Sequence, residues 1–214
     1  MTKSGHDHSL TVGLALAAVL WFLMFSPWTA ERVPFWLTMA VASFLLLVVA
    51  RPLQQIVGWL HTPATYKVAM LLLGVAIAAA LWLVFWMGDT LSAAWFPFAR
   101  PQVQSVYTLR DEAPAWLVAL QLLLLTGPAE ELFWRGYVQR TLALRSNANR
   151  AFLLTTALYT LIHIWSFNLM LIMAAAVCGT MWGWLYRTRP GWLPALVLSH
   201  ALWDAAVFVF FPFA

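Results

Sequence analysis

Long apolar stretches separated by short polar links are the feature that most constrains this chain of 214 residues. Only 9% of its residues are charged and 63% are apolar, whereas a soluble domain carries about 25% charged residues. A helix needs roughly 17–25 apolar residues to cross the hydrocarbon core of a bilayer. The sequence therefore predicts an all-α, polytopic membrane protein with about seven transmembrane helices.

The predicted spans are the apolar runs that lie between links rich in proline and charge. They cover residues 9–28, 33–50, 66–87, 114–138, 151–165, 168–186 and 192–211. Residues 88–113 are polar enough to be interpreted as a loop that partly lies in the membrane interface. The link between the fifth and sixth spans is very short, so these two spans must form an antiparallel hairpin.

The cations between the spans predict an orientation. With seven spans, eight Lys and Arg residues fall on one side of the membrane and three on the other. Because cytoplasmic loops carry the excess of Lys and Arg, the N-terminus is expected in the cytoplasm. The short chain, with little mass outside the bilayer and no targeting sequence, suits the inner (cell) membrane of a prokaryote. The net charge of +4 forms no continuous basic patch, so the expected partner is lipid and not nucleic acid.

Ionisable residues occur in the last four predicted spans, whereas the first three spans have none in their middles. A charged side chain at the centre of a bilayer costs about 2.5–3.5 kcal/mol, so these groups must face one another or water and not lipid. This asymmetry places the active site among the last four spans. The residues are Glu130, Glu131, Arg135, His163, His200 and Asp204.

The two adjacent glutamates of the fourth span have different helical neighbours. Glu131 and Arg135 are four residues apart, so they share a helix face and can form an ion pair. Glu130 points about 100° away and has no cation one turn further along the helix. Glu131 is therefore interpreted as structural and Glu130 as the reactive carboxylate. Pro128 just before the pair predicts that a new half-helix begins there, which would admit water beside Glu130.

Histidines occupy two of the later spans, each with a polar side chain four residues away. His200 and Asp204 lie on one face of the last span, where the carboxylate can orient the imidazole. Tyr159 and His163 repeat this spacing on the fifth span. On the sixth span, Gly179 and Gly183 form a small-xxx-small pattern typical of close helix packing.

These motifs resemble those of the CPBP family, also called the CAAX-protease, bacteriocin-processing or Abi family. Glu130 to Arg135 read EELFWR and match its EExxxR motif, and Tyr159 to His163 and His200 to Asp204 match its second and third motifs. The resemblance covers roughly residues 114–211 and implies a glutamate-dependent intramembrane endopeptidase; no cofactor or metal is expected. It divides the chain into 1–113, N-terminal helices and interfacial loop, and 114–214, a catalytic membrane core.

The resemblance also assigns roles to the motif residues. Glu130 and His163 are expected to activate the water that attacks a peptide carbonyl, with Glu131, Arg135 and Tyr159 in support. His200 and the residue at 204 belong to the site that stabilises the oxyanion. An ionised Asp204 cannot donate a hydrogen bond to an oxyanion. Asp204 is therefore expected to orient His200, which would be the donor; the alternative is a protonated Asp204.

Other functions remain open at the level of sequence. Two histidines and a glutamate are a catalytic zinc set, although no HExxH motif is present. Buried carboxylates also form proton relays in transporters, and a family member can act as a non-catalytic immunity or scaffold protein. The expected substrate is a membrane-anchored peptide or protein. A CaaX tail, a bacteriocin or leader peptide and a sorting-signal tail all fit the resemblance.

Overall fold

The computed structural model describes residues 3–213 of the chain, with side chains from residue 9 onward. Every regular element within that range is helical, and none is a strand. The main helices are α1 (Lys3–Phe25), α2 (Phe35–Ala50), α3 (Leu53–Leu60), α4 (Ala64–Trp95), α5 (Ala99–Tyr107), α6 (Ala115–Arg145), α7 (Ala148–Leu161), α8 (Leu169–Thr188) and α9 (Leu193–Ala205).

Four helices of the described part are long and apolar enough to cross a membrane. They are α4, α6, α8 and the helical stretch Pro190–Phe210, which contains α9. Helices α2 and α3 make a fifth span if the bent pair counts as one, while the apolar part of α1, Ser9–Phe25, is shorter. The all-helical membrane architecture is confirmed. The count of seven spans stays a prediction. The predicted orientation also stays a prediction, and one of the cations on which it rests, Lys3, lies outside the residues whose side chains are described.

The interpretation of residues 88–113 as a loop is wrong. Helix α4 continues to Trp95, and α5 follows after the break at Pro97. Asp89 remains inside α4 because its carboxylate forms a salt bridge of 3.0 Å with the Arg100 guanidinium. Polar residues of this segment therefore pair between α4 and α5, and their presence does not end α4.

Helix α3 was not expected from the sequence. Arg51 ends α2 in a left-handed conformation, with φ of 48°, and α3 leaves at an angle of 83° to α2. Pro52 directly before α3 provides the fixed φ that favours a helix start. Four large apolar side chains of α3 are exposed, which suits a helix that lies along a membrane surface. They are Leu53, Ile56, Val57 and Leu60.

The predicted start of a half-helix at Pro128 is also wrong, because α6 is continuous from Ala115 to Arg145. Its regularity changes at two π-helical turns, Leu122–Thr126 and Trp134–Gln139. A proline ring collides with the carbonyl group four residues earlier in a regular α-helix. The wider π turn directly before Pro128 relieves that collision without interrupting the helix.

Glycines allow the helices around the later motifs to approach closely. A Cβ atom at Gly127 would lie 2.6 Å from Ala201 Cα, so α6 and α9 cross with their backbones in contact. At Gly179 and Gly183, a Cβ would lie 3.0 Å from Tyr159 Cδ1 and 3.1 Å from Phe152 Cδ2. The predicted packing role of these two glycines is confirmed, and it brings α8 against α7.

Candidate active site

A cavity of about 330 Å³ lies among the helices, and the predicted catalytic residues all line it. Glu130 comes from α6, His163 from the 3₁₀ turn after α7, and His200 and Asp204 from α9. Much of the remaining wall is apolar or aromatic, and α1 and α2 supply part of it: Trp21, Phe25, Phe35, Trp36 and Met39. Residues that are far apart in the sequence thus converge on one partly enclosed space.

One oxygen of Glu131 connects two of the predicted motifs. Glu131 Oε1 accepts hydrogen bonds from Arg135 Nη1 at 2.7 Å and from His200 Nδ1 at 2.9 Å. The predicted Glu131–Arg135 ion pair is therefore confirmed. Arg135 Nη2 also donates to the Gly179 carbonyl oxygen at 3.2 Å. Glu131 and Arg135 are both 0% exposed, so this network fixes α6, α8 and α9 relative to one another.

His200 is held at both ring nitrogens and on one ring face. Its Nδ1 contacts Glu131, and its Nε2 lies 3.4 Å from Asp204 Oδ2. The Trp182 ring stacks on the imidazole at a centroid distance of 3.9 Å and an angle of 18°. Trp182 Nε1 in turn donates to Ser199 Oγ, which donates to the Leu196 carbonyl, so Ser199 is occupied by structural bonds.

The surroundings of Glu130 differ from those of Glu131. Within the part of the chain whose side chains are described, no Lys or Arg forms a salt bridge with Glu130, whereas Glu131 has Arg135. Tyr159 lines the same cavity as Glu130. Its ring packs edge-on against His163 at a centroid distance of 5.2 Å.

A tryptophan of α1 contacts His163 and was not identified from the sequence. Trp21 Nε1 lies 3.1 Å from His163 Nε2, and His163 Nδ1 lies 2.8 Å from the Tyr159 carbonyl oxygen. An indole N–H can only donate and a carbonyl can only accept, so the proton of His163 is assigned to Nδ1. Trp21 is one of fourteen tryptophans, and no local spacing distinguishes it.

A metal site would need several ligating side chains arranged around one point. Among the residues whose side chains the structure describes, no group of three or more His, Cys, Asp or Glu residues is arranged to hold a metal ion. His163 Nε2 lies beside Trp21 Nε1, and the two ring nitrogens of His200 lie 2.9 Å from Glu131 Oε1 and 3.4 Å from Asp204 Oδ2.

The fold and the buried residues define the class as an all-helical membrane protein with a carboxylate–histidine cluster at an internal cavity. Residues 112–206 match the family model described as "Type II CAAX prenyl endopeptidase Rce1-like". The match agrees with the CPBP or CAAX protease family that the three motifs indicated, and that family implies a membrane protease that acts on a peptide or protein. Neither the curated proteins nor the solved structures contain a match to the chain.

Proposed function

We propose that this protein is a glutamic-type intramembrane endopeptidase in which Glu130 activates the attacking water. The observation that carries the proposal is the convergence of Glu130, His163, His200 and Asp204 on one cavity. Of the two adjacent glutamates, only Glu130 has a carboxylate outside the Arg135 network. A general base needs a carboxylate that can accept a proton, and an ion-paired one is a poorer acceptor.

The reaction begins with a water molecule beside Glu130, which also reaches His163 Nε2 once the Trp21 indole has moved away. Glu130 removes a proton from the water as its oxygen attacks the peptide carbonyl carbon, and a tetrahedral oxyanion forms. Glu130 then returns the proton to the nitrogen of the departing amine, and the C–N bond breaks. Both products leave with normal valences, and no covalent bond to the protein is formed. Tyr159 lines the cavity beside Glu130 and is the proposed support for this carboxylate.

His200 is the proposed donor to the oxyanion. The Glu131 carboxylate at Nδ1 and the stacked Trp182 ring fix the imidazole, so its Nε2 side points in one direction. Because Nδ1 donates to Glu131, His200 acts here as an imidazolium, whose Nε2–H has only the long contact of 3.4 Å with Asp204 and is available to a closer acceptor. A donor that is already oriented loses little free energy in reorganisation when the oxyanion forms. Asp204 orients His200 and Glu131 supports it, with Arg135 as the buried counter-ion.

The apolar wall of the cavity indicates which substrates can enter. Aromatic and aliphatic side chains surround the polar cluster, so we propose a membrane-anchored peptide or protein that presents an apolar group beside the scissile bond. A CaaX-type tail with its isoprenoid fits this description. We further propose that the enzyme acts in the inner membrane of a prokaryote with its N-terminus in the cytoplasm.

The test is proteolysis of a membrane-anchored peptide library by the purified protein in detergent. The library includes CaaX peptides with and without a farnesyl group, and products are identified by mass spectrometry. We expect cleavage that a chelator does not abolish and that Glu130→Gln removes. Cleavage that disappears with chelator and returns with zinc would instead indicate a metalloprotease. If the Glu130→Gln variant keeps the full biological effect of the wild-type protein in cells, the protein is non-catalytic or a transporter.

A further inference from the structure

The segment after the last helix lies at the edge of the catalytic cavity and is held there by its backbone. Arg100 Nη1 donates to the Phe213 carbonyl oxygen at 2.6 Å, and Phe213 N donates to the Tyr107 hydroxyl at 3.1 Å. Trp82 Nε1 donates to the Phe211 carbonyl oxygen at 3.4 Å. Three side chains from α4 and α5 thus satisfy two carbonyl groups and one N–H of a short peptide segment.

Phe213 separates two spaces in the protein. Its side chain lines the catalytic cavity together with Glu130 and His163, and its ring lies 5.4 Å from that of Trp82. Phe213 also lines a second cavity of about 540 Å³, whose other residues are Arg100, Pro101, Val103 and Gln104. Phe213 therefore lies at the boundary between the catalytic cavity and a second space beside α5.

The contacts that hold this segment do not depend on most of its side chains. Main-chain carbonyl and N–H groups are present in any peptide, so another extended segment can make the same three hydrogen bonds. Phe211 is 63% exposed, and the side chain of Arg100 is 51% exposed. An exposed segment held by a few hydrogen bonds opens at low free-energy cost, which makes it exchangeable.

Arg100 adds a preference for negative charge. Its Nη2 pairs with Asp89, while its Nη1 binds the carbonyl of Phe213. A guanidinium group forms a stronger, charge-assisted bond with a carboxylate than with a neutral carbonyl. A peptide that places a free terminal carboxylate at Nη1 would therefore bind better than residues 211–213. Burial raises the pKa of Tyr107, so its phenol remains neutral and can still accept from a peptide N–H.

We propose that Trp82, Arg100 and Tyr107 form a subsite for the substrate's peptide backbone, which residues 211–213 occupy when no substrate is bound. This inference rests on the proposed peptidase function and adds to it a binding site and a competition. The preferred occupant is an extended peptide with an apolar side chain in the position of Phe213 and a carboxylate near Arg100. Its binding displaces the protein's own segment.

The first test removes the competitor. A variant that ends after Phe210 is compared with the full chain in cleavage of one farnesylated CaaX peptide. We expect KM to fall severalfold with kcat changed less than twofold, because only the competition is lost. An unchanged or higher KM in the folded variant contradicts the proposal. If the shortened protein does not fold, Phe213→Ala in the full chain replaces it, with the same expected direction for KM.

The second test addresses the subsite itself. In the shortened protein, Arg100→Gln is expected to raise KM severalfold for the peptide acid and much less for the peptide amide. Arg110→Gln is the matched control, because Arg110 is a nearby, partly exposed arginine that pairs with Asp111. The proposal is overturned if the two variants raise KM equally, or if acid and amide respond alike.

A binding measurement separates this inference from the proposed catalysis. A fluorescent peptide with the sequence of residues 208–213 is titrated into the shortened protein and into its Arg100→Gln form. Saturable binding that Arg100→Gln weakens supports the subsite even if no peptide is ever cleaved, in which case the peptidase function fails alone. Absence of saturable binding to the folded, shortened protein overturns the subsite whatever the catalytic result.

Discussion

At the scale of single residues, the two neighbouring glutamates of α6 experience different surroundings. Glu131 is 0% exposed and shares one oxygen between Arg135 and His200, while Glu130 lines the cavity opposite Tyr159. Successive residues of a helix point about 100° apart, so one helix can direct adjacent side chains into a packed network and into a cavity. Substitutions of the two glutamates are therefore expected to change the free energy of unfolding by different amounts.

We expect Glu131→Gln to destabilise the protein much more than Glu130→Gln. Loss of the Glu131 charge leaves the Arg135 guanidinium buried with no carboxylate, and breaking a buried ion pair costs about 3–5 kcal/mol. Glu130→Gln removes no ion pair and should change the free energy of unfolding by less than about 1 kcal/mol. Denaturant titration in mixed micelles measures both variants. Equal losses of stability would contradict the separation of the two glutamates.

The contact of Trp21 with His163 predicts that a substitution of Trp21 increases kcat. The single lone pair of Nε2 accepts the indole N–H, so water cannot donate to it until the indole moves. Trp21→Phe keeps an aromatic ring but removes that donor. A hydrogen bond contributes about 1 kcal/mol, so turnover is expected to rise about fivefold. The measurement is kcat on a cleaved peptide, and a decrease in kcat would mean that Trp21 supports His163 without obstructing it.

Contacts within one helix could be predicted from the sequence, and contacts between helices could not. The Glu131–Arg135 pair and the His200–Asp204 contact follow from the four-residue spacing alone. The hydrogen bond between Trp21 and His163 joins residues 142 positions apart, and its formation depends on how α1 packs. The roles assigned to Glu130 and His163 came from the family motifs and stay predictions.

At the scale of helices, α6 and α9 cross at Gly127, whose Cβ position has the closest neighbour among the glycines that the structure describes. A Cβ at Gly127 would lie 2.6 Å from Ala201 Cα and 2.7 Å from its nitrogen, so backbone atoms would have to move. We expect Gly127→Ala to cost about 1–3 kcal/mol in stability and to displace Glu130, which lowers peptidase activity. Thermal unfolding together with cleavage of one peptide measures both effects.

Gly88→Ala is the matched control for that substitution. Gly88 also lies within a helix, α4, but no atom lies within 4 Å of its Cβ position. Alanine is favoured over glycine in a helix interior by about 0.5–1 kcal/mol, so this variant should be neutral or slightly more stable. If both alanine variants behave alike, close packing at Gly127 is not the cause of the effect.

The sequence predicted the all-helical, membrane-spanning character of the chain better than the ends of its helices. Apolar length located α4 and α6, but charge was a poor guide to where α4 stops, because Asp89 pairs with Arg100 of the next helix. The π turn before Pro128 could not be predicted from the sequence either. A proline in an apolar run predicts a break in the helix, and the sequence does not show that a π turn can accommodate the proline instead. These outcomes depend on tertiary contacts and not on local propensity.

At the scale of the whole molecule, both parts of the chain build the cavity. The family model covers residues 112–206, yet Trp21, Trp36 and Met39 from α1 and α2 line the same space as Glu130. The division into residues 1–113 and 114–214 stays a prediction. The contacts indicate that the second part depends on the first for a complete site.

Separate expression of the two parts tests that dependence. We expect residues 114–214 alone to cleave no peptide, because the cavity lacks the walls that α1, α2 and α4 provide. Coexpression of residues 1–113 as a separate chain should restore at least part of the cleavage, measured on the same peptide in detergent. Full activity of the fragment alone would show that the first helices serve only as an anchor.

The most direct measurement of the central claim is a kinetic comparison of two glutamate substitutions on one peptide. General acid–base catalysis contributes about 10²–10⁴-fold to a rate, so Glu130→Gln should lower kcat at least a hundredfold with little change in KM. Glu112→Gln alters an exposed carboxylate and should match the wild type. If Glu130→Gln retains more than about a tenth of the wild-type kcat, Glu130 is not the base that activates water.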